Sequence, residues 1–263
     1  MRSTRMIRAG EQILNTYGDP PNADVLRRYG YVDSYNGADE AEIEATLLVE
    51  AVLNRKLPSD KDSDRQALMQ RIAYLVSQGL EESFVLHYPF HPDTTEPYRL
   101  LMEQVTDKDI KAAMSSSFLE EDGEELLSTC RTLLMADEDF DKQVKKDKVP
   151  KPRLDGDIVD VLLEAIQIRL QSYAGGPNSR EDEERLYGKD RIELSANVRK
   201  AVVVRLGEKR VLEGNAELLR RFAALQKRAS ADEGKSAHTD GNAANGKRKG
   251  ASSSTHETKK QRR

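Results

Sequence analysis

Apolar positions recur at helical spacing along most of this chain. Over 39–56, Ile43, Leu47, Val49, Ala51 and Leu53 fall on one face of a 3.6-residue period, and Pro58 follows the stop. Leu68, Ile72, Leu75 and Val76 repeat the pattern over 64–79, where Gly79 ends it. Prolines at 89, 92 and 97 forbid a long helix over 82–98, and Phe84-Val85-Leu86 predicts a short strand there. Helices resume over 97–106 and 123–136, and a Lys/Pro-rich linker follows from Val144 to Arg153. Over 156–173, Ile158, Val161, Leu162, Ala165, Ile166 and Leu170 line one face, closed by Gly175-Gly176-Pro177. Leu186, Leu194, Val198, Val202 and Leu206 serve 180–206, and Val211, Leu212, Leu218, Leu219, Phe222 and Leu225 serve 208–228. Short links favour antiparallel neighbours, so residues 38–229 predict one helical bundle, with no repeat of fixed period.

Both ends break this pattern. Residues 4–17 predict a short β-hairpin: Arg5 to Ala9, a turn at Gly10, then Gln12 to Tyr17. Gly18-Asp19-Pro20-Pro21-Asn22 interrupts it, and Asn22 is placed to cap a helix over 23–29, with Val25 and Leu26 inward, Arg27 and Arg28 outward, and Gly30 as the stop. After Ala229 the composition falls to Ser, Ala, Gly, Asn, Asp and Lys, too little apolar surface to offset chain entropy, so 230–263 is expected to be disordered. This tail carries Lys247-Arg248-Lys249 and then Lys259, Lys260, Arg262 and Arg263, a spacing that suggests a bipartite nuclear import signal read by importin. Its plain alternative is a solvated basic tail. Nuclear localisation is the expectation, with the cytoplasm also open.

Composition narrows the classes. Of 263 residues, 37% are hydrophobic and 33% charged, with 5% aromatic and no tryptophan, which favours helices with a modest core. A single cysteine, Cys130, excludes an internal disulfide framework and multi-cysteine zinc sites, and its apolar surroundings suggest a buried thiol. The net charge of −4 is uneven: the tail from 229 holds eight Lys/Arg against four Asp/Glu, leaving −8 on the remainder. An acidic body argues against direct nucleic-acid binding there and suits a basic protein partner. The acidic run 137–141 reads as a solvated helix end. His87 and His91 lack accompanying carboxylates or cysteines, so loop packing is expected rather than a metal site. No run of about 18 apolar residues is present, so no membrane span is expected, and residues 1–30 lack the apolar core of a signal peptide.

The richest chemistry lies at the start. Gly10-Glu11-Gln12-Ile13-Leu14-Asn15-Thr16-Tyr17-Gly18-Asp19, followed by Asn22-Ala23-Asp24-Val25-Leu26-Arg27-Arg28-Tyr29-Gly30-Tyr31, resembles the C-terminal end of a SET domain, in the branch typified by Rubisco large-subunit lysine methyltransferase. The later run Arg205-Leu206-Gly207-Glu208 to Leu212 resembles the Arg-x-Gly-Glu-x-x-x-Leu motif of that family's helical substrate-binding domain. Asn15 to Asp19 and the basic C-terminus look most like the fungal ribosomal lysine methyltransferase 4 group. The resemblance implies a mainly α fold: the end of a SET domain at 1–37 with a hairpin remnant, a substrate-binding helical domain at 38–229 and a disordered basic tail at 230–263. It implies transfer of a methyl group from S-adenosylmethionine to a lysine of a basic, ribosomal or nuclear protein.

By that resemblance Tyr17 is the catalytic tyrosine, its hydroxyl oxygen facing the electron-poor methyl and orienting the amine. Tyr29 and Tyr31 would wall the lysine channel and part of the cofactor's surroundings, favouring the neutral amine by desolvation. The plain alternative is three half-buried tyrosines in a small hairpin-helix unit. The Gly-rich turn and Asn-His segment that complete a SET cofactor site do not occur in these 263 residues, so the chain is expected to be inactive alone, as the C-terminal part of a longer enzyme. The alternative function is a non-catalytic module that binds a basic protein.

Overall fold

A computed structural model describes residues 3–13, 18–56, 62–90, 103–119, 121–189 and 193–243, with backbone alone at 121–122 and 231–243. The described elements are α1 (Asn22–Tyr29), β1 (Glu40–Glu44), α2 (Ala45–Lys56), α3 (Asp62–Ser77), β2 (Ser83–His87), α4 (Asp107–Phe118), α5 (Glu121–Leu134), α6 (Asp137–Lys146), α7 (Gly156–Gln171), α8 (Ser179–Tyr187) and α9 (Ala196–Ala243). The protein is mainly α, as expected. Among the described residues no helix is long and apolar enough to cross a membrane.

The sheet is small and antiparallel. Ala41 pairs with Leu86 and Ile43 with Phe84, and these four side chains are buried on one face. Residues 40–44 were expected to open a helix. Instead Glu40, Glu42 and Glu44 alternate with Ala41 and Ile43, a period of two that suits a half-buried strand, and the helix begins at Ala45. The strand expected at 84–86 forms within β2.

α2 packs along α7 and touches α5 and β1, and this group is the centre of the core. Leu48, Ala51 and Val52 on α2, Leu126, Leu127 and Cys130 on α5, and Val161, Leu162 and Ala165 on α7 are all buried. Burying each such aliphatic side chain contributes on the order of 1.5–3 kcal/mol before chain entropy is deducted. α3 and α4 flank α5, and α6 leans on α3 through the edge-to-face pair Tyr74–Phe140.

Several expectations change. Residues 3–13 form no strand: Arg8 and Glu11 close a turn, with Arg5 bridging to Glu11 at 3.1 Å. Met6 and Ile13 are 85% and 78% exposed, so a hairpin there would cover no apolar face, and a lone hairpin is marginal in water. The rest of the expected second strand, 14–17, lies outside the described residues, as does most of the helix expected over 97–106. α4 was not anticipated. Thr106 and Asp109 form its capping box, with Ile110, Ala113, Met114 and Phe118 on its buried face. The acidic run 137–141 opens α6, where carboxylates favour the N-terminal end of the helix dipole. The two helices expected at 180–206 and 208–228 are instead α8 and one long α9 that passes straight through Gly207.

Two compact units divide the chain, Met1–Ala223 and Ala224–Arg263. The described part of the second is helical to Ala243, past the point where composition predicts order to end. Extending an existing helix adds a hydrogen bond per residue without a new nucleus, and Ala, Glu and Lys within 229–236 suit it. Lys247, Arg248, Lys249, Lys259, Lys260, Arg262 and Arg263 lie outside the described residues.

Candidate functional site

The residues singled out at the start of the chain meet the late motif on α9. Pro21, not Asn22, precedes α1. Freed from capping, the buried Asn22 holds the next stretch of chain in place. Its Oδ1 accepts from the Asp33 amide at 2.9 Å and its Nδ2 donates to the Asp33 carbonyl at 3.0 Å. Its backbone amide and Nδ2 donate to the two Asp39 carboxylate oxygens at 2.7 and 3.2 Å. Gly30 ends α1 in the left-handed region, φ 76°, and turns the chain towards Tyr31.

Tyr29 and Tyr31 therefore come together. Their ring centroids are 6.5 Å apart and the residues are 44% and 41% exposed. Between them the Gly30 carbonyl accepts from Lys200 Nζ of α9 at 2.6 Å, and just beyond them Val32 packs on Leu186, Val202, Val203 and Leu206. Tyr17 lies outside the described residues. The two described tyrosines present one open aromatic face. Open on that face, these two do not by themselves form a pocket for S-adenosylmethionine, the cofactor that the resemblance implies.

Each named residue of the Arg-x-Gly-Glu motif is committed to a packing partner. Arg205 Nε donates to Asp182 of α8 at 2.9 Å, and the fully buried Lys209 donates to the same carboxylate at 2.7 Å. A Cβ on Gly207 would lie 2.1 Å from Asp39 Oδ2, so only glycine admits the Asp39 carboxyl against this helix. Glu208 accepts from the Tyr173 hydroxyl at 2.6 Å, and the Arg169 guanidinium stacks 4.5 Å over the Tyr173 ring. Burial and the Glu208 carboxylate push the Tyr173 phenol far above its ordinary range. Burial raises Asp39 to about 6, helped by the nearby Glu208 and opposed by the Asn22 hydrogen bonds and Arg210. This geometry holds the opening segment on α9. Neither Asn22, Asp39 nor Lys200 was assigned to this junction from sequence. The signal for Asp39 was a tertiary approach to Gly207, which no local pattern carries.

A cavity of about 990 Å³ borders this junction, with Asp19, Glu40, Glu124, His87 and Asn215 on its wall. Burial raises Glu40, while His87 Nδ1 stands 3.9 Å from its carboxylate. Asn215 Nδ2 donates to the His87 and Val211 carbonyls at 2.8 and 2.9 Å, and its buried Oδ1 has no hydrogen-bond partner. Three carboxylates, of Asp19, Glu40 and Glu124, make this wall an acceptor surface, suited to cationic side chains. His91 is outside the described residues. Among the described residues no cluster of three or more His, Cys, Asp or Glu could hold a metal. Cys130 is buried in the core, as expected, with its thiol pushed up to about 12.

Comparison with known proteins bears on this arrangement. The family profile described as Rubisco LSMT substrate-binding matches residues 62–212, from the start of α3 through the whole late motif. N-lysine methyltransferase SETD6 of Rattus norvegicus is 25% identical over 241 residues, covering 83% of this chain and 43% of its own. N-lysine methyltransferase setd6 of Xenopus laevis is 28% identical over 87 residues, covering 32% of this chain and 19% of its own. The chain thus spans less than half the length of these curated relatives.

Proposed function

We propose, from the premise that this chain belongs to the Rubisco LSMT substrate-binding family, that it is the substrate-binding part of a protein-lysine methyltransferase. In this reading residues 38–229 recognise the protein substrate and residues 1–37 are the end of a SET domain. The observation that carries it is the junction at Asp39 and Gly207, where the tyrosine-bearing segment is locked to the helix bearing the family motif. A rigid join of that kind lets substrate bound by the helical domain be presented to the segment that carries Tyr29 and Tyr31 at fixed geometry. S-adenosylmethionine supplies the methyl group in such enzymes.

The acidic cavity supports a basic segment as substrate. The resemblance to the ribosomal methyltransferase group narrows that to a ribosomal protein, and the Lys247–Lys249 and Lys259–Arg263 clusters support nuclear import through importin. The test is incubation of the purified chain with labelled S-adenosylmethionine and a basic ribosomal-protein peptide. The expected result is peptide binding without methyl transfer, because the Gly-rich turn and Asn-His segment of the cofactor site do not occur in these residues. Robust transfer, abolished by Tyr17→Phe, would overturn the inactivity. Absence of peptide binding would overturn the substrate role.

A second reading, a non-catalytic module that binds a basic protein, is favoured by the acceptor-lined cavity alone. The two part on the cofactor: the methyltransferase reading requires that activity appear when a complete SET half is supplied in trans, and the module reading requires that it does not.

A further inference from the structure

The body of this protein is acidic, yet the twelve residues 142–153 hold six lysines and arginines against one aspartate. Composition alone reads this stretch as a linker, but the structure builds it firmly. α6 ends at Lys146, and Asp147 then takes a left-handed conformation, φ 50°, unusual without glycine. Gln78, in the turn that follows α3, donates to Asp147 Oδ1 at 3.0 Å, Arg131 of α5 donates to the Lys151 carbonyl at 2.7 Å, and Gln143 at the end of α6 donates to the Lys148 carbonyl. Pro150 is buried. The turn after α3, α5 and the segment's own Gln143 thus hold it, while Lys145, Lys146, Lys148, Lys151 and Arg153 are exposed.

Among the described residues these five side chains make no ion pair. The nearby carboxylates are occupied: Asp139 pairs with Lys142 at 2.9 Å, and Asp155 accepts from the Ile158 amide at 3.1 Å as the cap of α7. Asp157 lines the same wall and has an interaction of its own. A cavity of about 740 Å³ opens here, bordered by Arg131, Lys146, Lys148 and Lys151, with Val149 between them. Val144 and Val149 are 42% and 43% exposed beside the ammonium groups.

We propose that the 142–153 segment and its cavity form a docking site for an acidic segment of a partner protein, one that carries an apolar side chain among its carboxylates. Charge complementarity selects the acidic partner. The exposed valines select a peptide over a nucleic acid. No aromatic residue lies in the segment to stack bases, and a continuous phosphate backbone would be repelled by the acidic body around it. This site is separate from the acceptor-lined cavity and does not depend on the methyltransferase reading.

The test is fluorescence anisotropy with the full chain and a short labelled peptide in which a leucine is flanked by aspartates and glutamates. The variants are Lys146→Glu/Lys148→Glu/Lys151→Glu, Val149→Ser and a control reversal on α4, Lys108→Glu/Lys111→Glu. The expected result is salt-sensitive binding that the triple reversal weakens by at least about tenfold, that Val149→Ser weakens several-fold with charge intact, and that the control leaves unchanged. The pinning hydrogen bonds use the Lys148 and Lys151 carbonyls and the Asp147 carboxylate, none of which the lysine reversals remove, and circular dichroism checks the fold. If the triple variant unfolds, Lys148→Glu and Val149→Ser decide. Equal binding by wild type and folded variants, no binding at all, or tighter binding of a single-stranded RNA of equal charge would overturn the proposal.

Discussion

One methyl group at position 207 would collide with the Asp39 carboxyl, which Asn22 holds in place from the other side. Alanine there improves helix propensity by about 1 kcal/mol, but overpacking a buried contact costs roughly 1–3 kcal/mol. Gly207→Ala is therefore expected to lower the urea midpoint and to open residues 18–39 to protease; an unchanged or raised midpoint would refute the contact's importance. Asp39 also sets a pH dependence. Its folded value of about 6 lies above the ordinary 3.8, so the folded state binds a proton that the unfolded chain releases. Its contribution to stability is present below about 4 and lost as pH rises through 6, by roughly 1–3 kcal/mol. Urea midpoints across that window should fall for the wild type and fall less for Asp39→Asn. The Cys130 thiol, raised to about 12 and fully buried, should resist alkylation in the native protein and react on unfolding.

Among the elements, α8 and α9 are joined by charge inside an apolar seam. Asp182 and Lys209 are both fully buried, and Arg205 completes the cluster. Asp182→Leu strands the Lys209 ammonium and is expected to cost about 3–5 kcal/mol, whereas Asp182→Leu with Lys209→Met should recover most of that loss in thermal unfolding. A double variant as damaged as the single would show that the pair contributes more than mutual neutralisation. α4 depends on its cap: Thr106→Ala should cost about 1 kcal/mol. The helices with clean apolar faces, α3, α5 and α7, were legible in sequence because burial on one side writes a 3.6 period. β1 was not, since five residues alternating glutamate with Ala41 and Ile43 were read with the helix that follows them. α4 hid behind Asp and Lys, its cap being the local signal that could have revealed it. The apolar positions were divided into two helices at 206 and 208, whereas α9 runs through Gly207, whose absent side chain serves a tertiary approach. Of the site, Tyr29 and Tyr31 were legible as a pair because Gly30 lies between them. Asn22, Asp39 and Lys200 gained their roles only from chain separated by tens of residues.

Two patches of the first unit differ in the sign of their charge. Carboxylates gather at the cavity around Glu40 and Glu124, and ammonium groups gather on the 142–153 segment. Raising salt should weaken both kinds of contact together while leaving the buried Asp182 cluster intact, because screening acts on exposed charges. A salt titration of binding beside one of thermal stability checks that separation: binding should fall steeply and the melting temperature only slightly. The Arg-x-Gly-Glu signature belongs to the protected set. Arg205, Gly207 and Glu208 all face other parts of the fold, so the signature is paid for by folding, and selection for a stable domain is enough to preserve it. The signature therefore marks a chain that packs in this way, and by itself it says nothing of methyl transfer.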